Sequence, residues 1–204
     1  RGGLKLEKAL KYFDITMTDR VMVDIGSSTG GFTDCALQNK AKRVYAVDVG
    51  TNQLVWKLRN DSRVVVKEKT NFRHATTDLF EYELPNIATI DVSFISLKLI
   101  FEPLKDILND GDDIVALIKP QFEAGREDVG KKGIVKDAKI HQRVIENVIS
   151  YANECQFSIQ NLTYSPITGG EGNIEFLAHF KVGGTNSLLQ VEQVVQEAHD
   201  CFKG

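Results

Sequence analysis

The stretch Val21-Met22-Val23-Asp24-Ile25-Gly26-Ser27-Ser28-Thr29-Gly30-Gly31-Phe32-Thr33 decides how the rest of this chain is read. Apolar residues run from Val21 to Ile25, carry Asp24 near the end, and stop at Gly26. A small-residue turn follows, and a helix is predicted from about Thr29 to Gln38. Strand, glycine turn and helix start, in that order, build a nucleotide site in an open α/β sheet. The glycines let a ligand approach the backbone, and the ligand sits at the strand's carboxyl end. Ser28 stands where the fingerprint G-x-G-x-x-G needs its second glycine, and no Gly-Lys-Ser/Thr follows as in a phosphate loop. An acidic strand end without phosphate-gripping features suits a cationic, phosphate-free nucleoside, of which S-adenosylmethionine is the common example. On spacing alone, a tight turn with no ligand is the alternative.

Bulk properties narrow the class. At 204 residues the chain can bury a substantial core as one domain spanning 1–204. Hydrophobic content of 42% and charged content of 26% are ordinary for a globular protein, so no special composition class applies. No apolar run approaches a membrane span, and no signal peptide opens the chain. Arg1 rather than methionine stands first, which leads us to expect a fragment. Cys35, Cys155 and Cys201 lack C-x-x-C spacing, which points to a reducing, cytoplasmic setting and away from zinc. His74, His141, His179 and His199 have no ligand spacing either, so no metal is expected and they read as structural or surface residues. A net charge of -3 does not mark a nucleic-acid binder, so an RNA partner would need clustered basic residues or another module.

Taken in order, Leu4 to Phe13 reads as a helix, with Lys5, Lys8 and Lys11 between its apolar positions. Strands are predicted at Val21–Ile25, Arg43–Asp48, Arg63–Lys67, Ile87–Val92, Asp112–Ile118, near Phe157–Tyr164 and near Ile174–Val182. Helices are predicted at Asn52–Leu58, Leu97–Leu108, Asp137–Asn153 and Ser187–Phe202. This alternation with a terminal strand pair implies a mostly parallel, doubly wound sheet with one antiparallel strand. The charged segment Ala124 to Gly133, with Gly125, Gly130 and Gly133, reads as a mobile loop. Trp56 and Phe32 are expected in the core rather than as base-stacking platforms.

Asp24, Asp48, Asp91 and Lys119 fall at or near carboxyl ends of predicted strands, the edge where open α/β sheets keep their sites. Asp48 can accept both ribose hydroxyls or cap a helix. Asn71 can read an adenine edge or form a turn. A lysine ending a buried strand beside Pro120 is costly without a carboxylate partner, and Asp91 comes from the neighbouring strand. That pair is either catalytic or a tie between two strand ends. For a methyltransferase, amino-group transfer to a base would use an Asn/Asp-Pro-Pro-aromatic turn, but Asp91-Val92-Ser93-Phe94 has no proline. Transfer to a pyrimidine carbon needs a cysteine nucleophile, and none ends a candidate strand. A hydroxyl acceptor needs only positioning and a base or polarising cation, which a Lys–carboxylate pair provides.

Six motifs in order carry a family resemblance: Arg1-Gly2-Gly3-Leu4-Lys5, Asp24 to Thr33, Tyr45-Ala46-Val47-Asp48-Val49-Gly50, Asp91 to Ser96, Lys119-Pro120-Gln121-Phe122-Glu123 and Gly172-Asn173-Ile174-Glu175-Phe176. Over nearly its whole length the chain resembles the TlyA/hemolysin-A type of methyltransferase, within the FtsJ-like RNA ribose 2′-O-methyltransferases. The resemblance implies a Rossmann-like S-adenosylmethionine-dependent fold, with a seven-stranded, mostly parallel sheet, one antiparallel strand and helices on both faces. It also implies a catalytic Lys-Asp-Lys-Glu tetrad at Lys5, Asp91, Lys119 and Glu175. The candidate cofactor set is Asp24, Gly26, Ser27, Ser28, Thr29, Gly30, Gly31, Phe32, Asp48, Val49, Asn71 and Asp91. Ribosomal RNA or ribosomal subunits are the implied partners, and the amino-terminal S4-like RNA-binding domain usual in the family is expected to be missing from this fragment. Lys119 is expected to orient the ribose 2′-hydroxyl or take its proton. The second role requires burial or Lys5 beside it, because an ordinary lysine is protonated at neutral pH. Lys5, Lys8, Lys11, Arg126, Lys131, Lys132, Lys136 and Lys139 could form the RNA surface, or be solvated lysines. A non-catalytic RNA- or membrane-interacting module is the competing class, but the chain offers neither a spanning helix nor a strongly basic amphipathic one. A nucleotide-binding oxidoreductase is disfavoured by Ser28.

Overall fold

A computed structural model describes residues 2–203, so Arg1 of the first motif lies outside the described residues. The strands are β1 (Val21–Ile25), β2 (Arg43–Val47), β3 (Val64–Lys67), β4 (Ile87–Ile90), β5 (Asp113–Ile118), β6 (Phe157–Tyr164) and β7 (Phe176–Val182). They form one sheet in the order β3-β2-β1-β4-β5-β7-β6. The first five strands pair in parallel, and β7 runs antiparallel to both β5 and β6. The strand order reverses between β1 and β4, and that switch point opens a crevice at the carboxyl ends.

Alternation along the strands sends side chains to two separate cores. Val21, Val23 and Ile25 of β1 join the core under helices α4 (Leu97–Leu104), α6 (Ala138–Glu154) and α7 (Val191–Cys201). Met22 faces the other way and packs under α1 (Gly2–Tyr12), α2 (Gly31–Gln38) and α3 (Trp56–Arg59). A seventh helix, α5, is the single turn Pro120–Glu123. Between α6 and α7, the buried His141 Nδ1 lies 2.8 Å from His199 Nε2, a pairing the sequence spacing did not reveal.

Several elements differ from the sequence reading, the last helix among them, since α7 starts at Val191 rather than Ser187. The helix expected over Asn52–Leu58 is only the turn α3, because Asn52 is left-handed (φ 56) and Val55 is extended. Leu54 and Leu58 anchor this segment in the core, while Trp56 is 78% exposed, contrary to its expected burial. Helix α4 stops at Leu104 rather than Leu108, and residues 105–107 continue as turns, with the Leu108 N–H still donating to the Leu104 carbonyl at 3.0 Å. Strand β4 ends at Ile90 and β7 begins at Phe176, so Asp91 and Glu175 lie just outside the ladder, free to aim their side chains.

At the opposite, amino end of the sheet, Asp113 is buried and meets three nitrogen-bearing side chains. His179 Nε2 lies at 2.7 Å, Arg20 Nη2 at 2.9 Å and Lys181 Nζ at 3.1 Å. Burial pushes the Asp113 carboxyl up, but the bonds from His179, Arg20 and Lys181 overcome it and hold the acid well below the usual carboxylate range. This stabilisation is complete above the unfolded-state value of about 3.9 and is lost as pH falls below it. Asp113→Ala is expected to cost about 3 kcal/mol in a urea titration at neutral pH, the low end for a broken buried pair because Lys181 can reach solvent. The deficit should shrink as the pH drops below about 4, and an equal deficit at acidic and neutral pH would contradict the assignment.

Candidate active site at the carboxyl edge of the sheet

The turn after β1 is built by two consecutive backbone bonds. The N–H groups of Gly26 and Ser27 both donate to the Val47 carbonyl at 2.9 Å, which bends the chain toward β2. Gly26 has φ +84, and a Cβ there would lie 2.1 Å from the Asp91 carbonyl oxygen, so no other residue fits. Ser28 is also left-handed (φ 50), and its N–H donates to Asp48 Oδ2 at 2.9 Å. Gly31 touches the start of α1: a Cβ would lie 2.8 Å from the Gly3 nitrogen and 2.9 Å from the Gly2 Cα. Close contact between these two glycine-bearing helix starts carries Lys5 to the carboxyl edge.

Three adjoining cavities line that edge. The first, about 350 Å³, is bounded by Gly26, Ser28, Asp48, Val49, Asn71 and Asp91, with apolar surface from Val47, Phe72, Ile95 and Ile100. The second, about 190 Å³, shares Gly26, Ser28 and Asp91 and adds Lys5, Ser27, Thr29, Gly31 and Phe32. The third, about 400 Å³, shares Ser93 and Phe94 with the first and adds Lys119, Gln121, Lys132 and Glu175. Asp91 therefore faces two cavities, and the Ser93-Phe94 corner links the first to the third.

Two ion pairs span these cavities. Lys119 Nζ lies 2.7 Å from Asp91 Oδ1 and donates to Ser93 Oγ at 3.1 Å. Lys5 Nζ lies 3.2 Å from Glu175 Oε1, and Gln121 Nε2 donates to Glu175 Oε2 at 2.9 Å. Both lysine side chains are 11% exposed, so each charge is held by its partner rather than by water. Lys5 and Asp91 border one cavity, and Lys119 and Glu175 border another, so the four side chains share one edge of the sheet.

Asp24 is placed differently from the other candidate residues. It is fully buried beneath the turn and borders none of these cavities. Its Oδ2 accepts from Thr33 Oγ1 at 2.7 Å and its Oδ1 from Thr89 Oγ1 at 3.3 Å, tying α2 to β4. Burial raises its carboxyl to about 7, with the Thr33 bond opposing and nearby Asp91 adding to the rise. Gly30 is likewise buried, against Leu54 and Leu58 rather than a cavity. Phe32 is 4% exposed, in the core as expected, at the rim of the second cavity.

Of the candidate RNA-facing cations, Lys8 is occupied. Its Nζ donates to the Tyr164 carbonyl at 2.6 Å and sits 3.6 Å from that ring's centroid. Lys11 pairs with Glu7, whereas Arg126, Lys131, Lys132, Lys136 and Lys139 are exposed. Among the described residues no group of three or more His, Cys, Asp or Glu side chains could hold a metal ion. No helix there is long and apolar enough to cross a membrane.

A family model described as FtsJ-like methyltransferase matches residues 1–182. The chain belongs to that family. It is 58% identical over 209 aligned residues to a Bacillus subtilis protein provisionally named rRNA methyltransferase YqxC, covering all of this chain and 74% of that protein. It is 41% identical to the 16S/23S rRNA (cytidine-2′-O)-methyltransferase TlyA of Mycobacterium tuberculosis, over 86% of this chain and 65% of that one. A solved Streptococcus thermophilus structure, described provisionally as a hemolysin, superposes with a TM-score of 0.97 at 56% identity. That match covers all of this chain and 74% of that one.

Two residues of this methyltransferase edge stand out only in the structure. Phe94 is 88% exposed and left-handed (φ 64), with its ring centroid 4.8 Å from that of Phe122. An exposed aromatic held in an unfavourable backbone conformation is the signal, and only coordinates supply it. Gln121, inside the Lys119-to-Glu123 motif, orients Glu175 by donating to its carboxylate.

The raised Asp24 carboxyl makes stability depend on pH. Between the unfolded value of about 3.9 and the folded value of about 7, the folded chain keeps a proton that the unfolded chain releases. Stability therefore falls as pH rises across that window and levels off above it. Asp24→Asn, which cannot ionise, is expected to gain stability relative to the parent between pH 5 and pH 8, read by thermal unfolding at both. A variant that loses as much at pH 8 as at pH 5 would contradict the placement.

Proposed function

We propose that this domain transfers the methyl group of S-adenosylmethionine to a ribose 2′-hydroxyl of ribosomal RNA, acting on ribosomal subunits in the cytoplasm. The observation that carries the reading is the meeting of the Lys119–Asp91 and Lys5–Glu175 ion pairs beside the cofactor-sized cavity. The relative named for cytidine-2′-O methylation supports the same acceptor. The chain's residues fit the donor well. Asp48, held by the Ser28 N–H, is aimed to accept from ribose hydroxyls, and Val49, Phe72 and Ile100 offer an apolar wall for adenine. Asn71 Oδ1 is taken by the Arg73 N–H, which leaves its amide nitrogen to donate to the adenine edge. Asp48 and Asp91 place carboxylates on the wall of the first cavity, which favours a cation and disfavours a phosphate.

When bound, S-adenosylmethionine supplies a methyl group already activated by its sulfonium. What the protein must add is alignment of the acceptor oxygen. In this reading Lys119, fixed by Asp91 and Ser93, orients the 2′-oxygen, and Glu175 with Lys5 holds the neighbouring ribose or phosphate. Phe94, projecting at the junction of two cavities, stacks on the acceptor nucleobase. Proximity and orientation then supply more of the rate than proton transfer, which typically gives about 10²–10⁴-fold.

Lys119→Ala is expected to lower methyl transfer to ribosomal subunits by at least about 100-fold, because the acceptor oxygen loses its alignment. Calorimetric affinity for S-adenosylmethionine should stay within about threefold, under 1 kcal/mol. Transfer at close to the parent rate would sink the assignment.

A further inference from the structure

Two residues before Glu175, Asn173 is 2% exposed and makes three hydrogen bonds, all to backbone. Its Oδ1 accepts from the Val135 N–H at 3.0 Å. Its Nδ2 donates to the Gly133 carbonyl at 2.8 Å and to the Gly170 carbonyl at 2.9 Å. One amide thus joins two loops whose bonded residues lie 40 positions apart.

Both loops form walls of the cavity that holds Lys119 and Glu175. Lys132 and Gly133 come from one loop, Gly170 and Glu171 from the other. Each loop also contains a left-handed residue with a side chain, Lys132 at φ 66 and Glu171 at φ 58. That conformation is disfavoured for any residue with a Cβ, so each loop needs outside support. Asn173 bonds to the backbone immediately beside both strained residues. The second loop also closes on the Glu175 carboxylate. Gly169 N–H donates to the Asn173 carbonyl at 2.8 Å, and a Cβ on Gly169 would lie 1.9 Å from Glu175 Oε2.

We propose that Asn173 is a positioning residue for the acceptor strand: it locks loops 130–135 and 169–173 into one wall, so that exposed Lys132 meets an RNA phosphate at a fixed distance from Glu175. The proposal rests on the methyl-transfer reading given above. Asn173 does not touch the reacting atoms. It acts by holding together two loops that lie far apart in the chain. Asparagine suits the task because a single planar group accepts on one side and donates twice on the other. Aspartate has the same shape but cannot donate to either carbonyl.

The experiment compares the parent with Asn173→Asp and, should the buried charge prevent folding, Asn173→Ser. Backbone amide exchange reads the coupling directly: exchange in both loops is expected to speed up together while β1, β4 and β5 stay protected. This outcome is independent of any activity, so it judges the lock even if the parent methylates no ribosomal RNA, a result that would sink only the methyl-transfer reading. Kinetically, KM for ribosomal subunits is expected to rise about tenfold, or about 1.4 kcal/mol, with S-adenosylmethionine affinity held within about twofold. Lys132→Ala is expected to raise KM in the parent but to add nothing in the Asn173→Asp background, because the lysine is already misplaced. Loosening of only one loop, a lower melting temperature with unchanged KM, or multiplying effects of the two substitutions would each overturn the proposal.

Discussion

Lys5 and Glu175 come from opposite ends of the chain, yet they meet at 3.2 Å with their side chains 11% and 2% exposed. Taking two charges out of water costs several kcal/mol per ion, and their attraction repays this only with good geometry and further hydrogen bonds. Stability alone is a weak reason to keep such a pair. The architecture nonetheless assembles it: α1 docks through Gly2 and Gly3 onto Gly31, and β7 enters antiparallel so that Glu175 arrives beside β5. Asp91 and Lys119 are simpler to bring together, since they leave the ends of neighbouring parallel strands.

The turn after β1 links this edge of the sheet to the first cavity. Gly26 must lack a side chain because the Asp91 backbone occupies the space where a Cβ would go. The same contact sets how far Asp91 stands from the turn. Beneath it, Asp24 uses both carboxylate oxygens on Thr33 and Thr89, which fixes the start of α2 against the central strands. The shape of the cavity floor and the aim of Asp91 thus follow from one tightly packed corner. Asp24, Thr33 and Thr89 of that corner are fully buried, where small displacements are resisted by close packing.

Much of this was legible in the chain itself, for physical reasons. Buried parallel strands are short apolar runs ending in polar residues, so Asp48, Asp91 and Lys119 could be assigned to strand ends without coordinates. The antiparallel last strand followed from two strands in succession after the long helix α6. What the sequence concealed are features that depend on distance across the fold. Asp24 reads as a residue exposed to ligand, but its central strand buries it completely. Trp56 reads as core by size, but the left-handed Asn52 shortens the helix and turns it outward. His141 and His199 are 58 residues apart and show no spacing pattern, yet pack together between α6 and α7. Asn173 bonds only to backbone groups, which leave no signature in side-chain sequence.

The account stands on the acceptor being a ribose oxygen placed beside Lys119, and the chemistry of the product tests this most directly. A 2′-O-methyl group removes the hydroxyl that alkali uses to cleave the adjoining phosphodiester. Ribosomal subunits would be incubated with the protein and with S-adenosylmethionine labelled in its methyl group, and the RNA then digested to completion in alkali. The account requires the label to appear in alkali-stable dinucleotides. Label recovered in mononucleotides would place the methyl group on a base and contradict it.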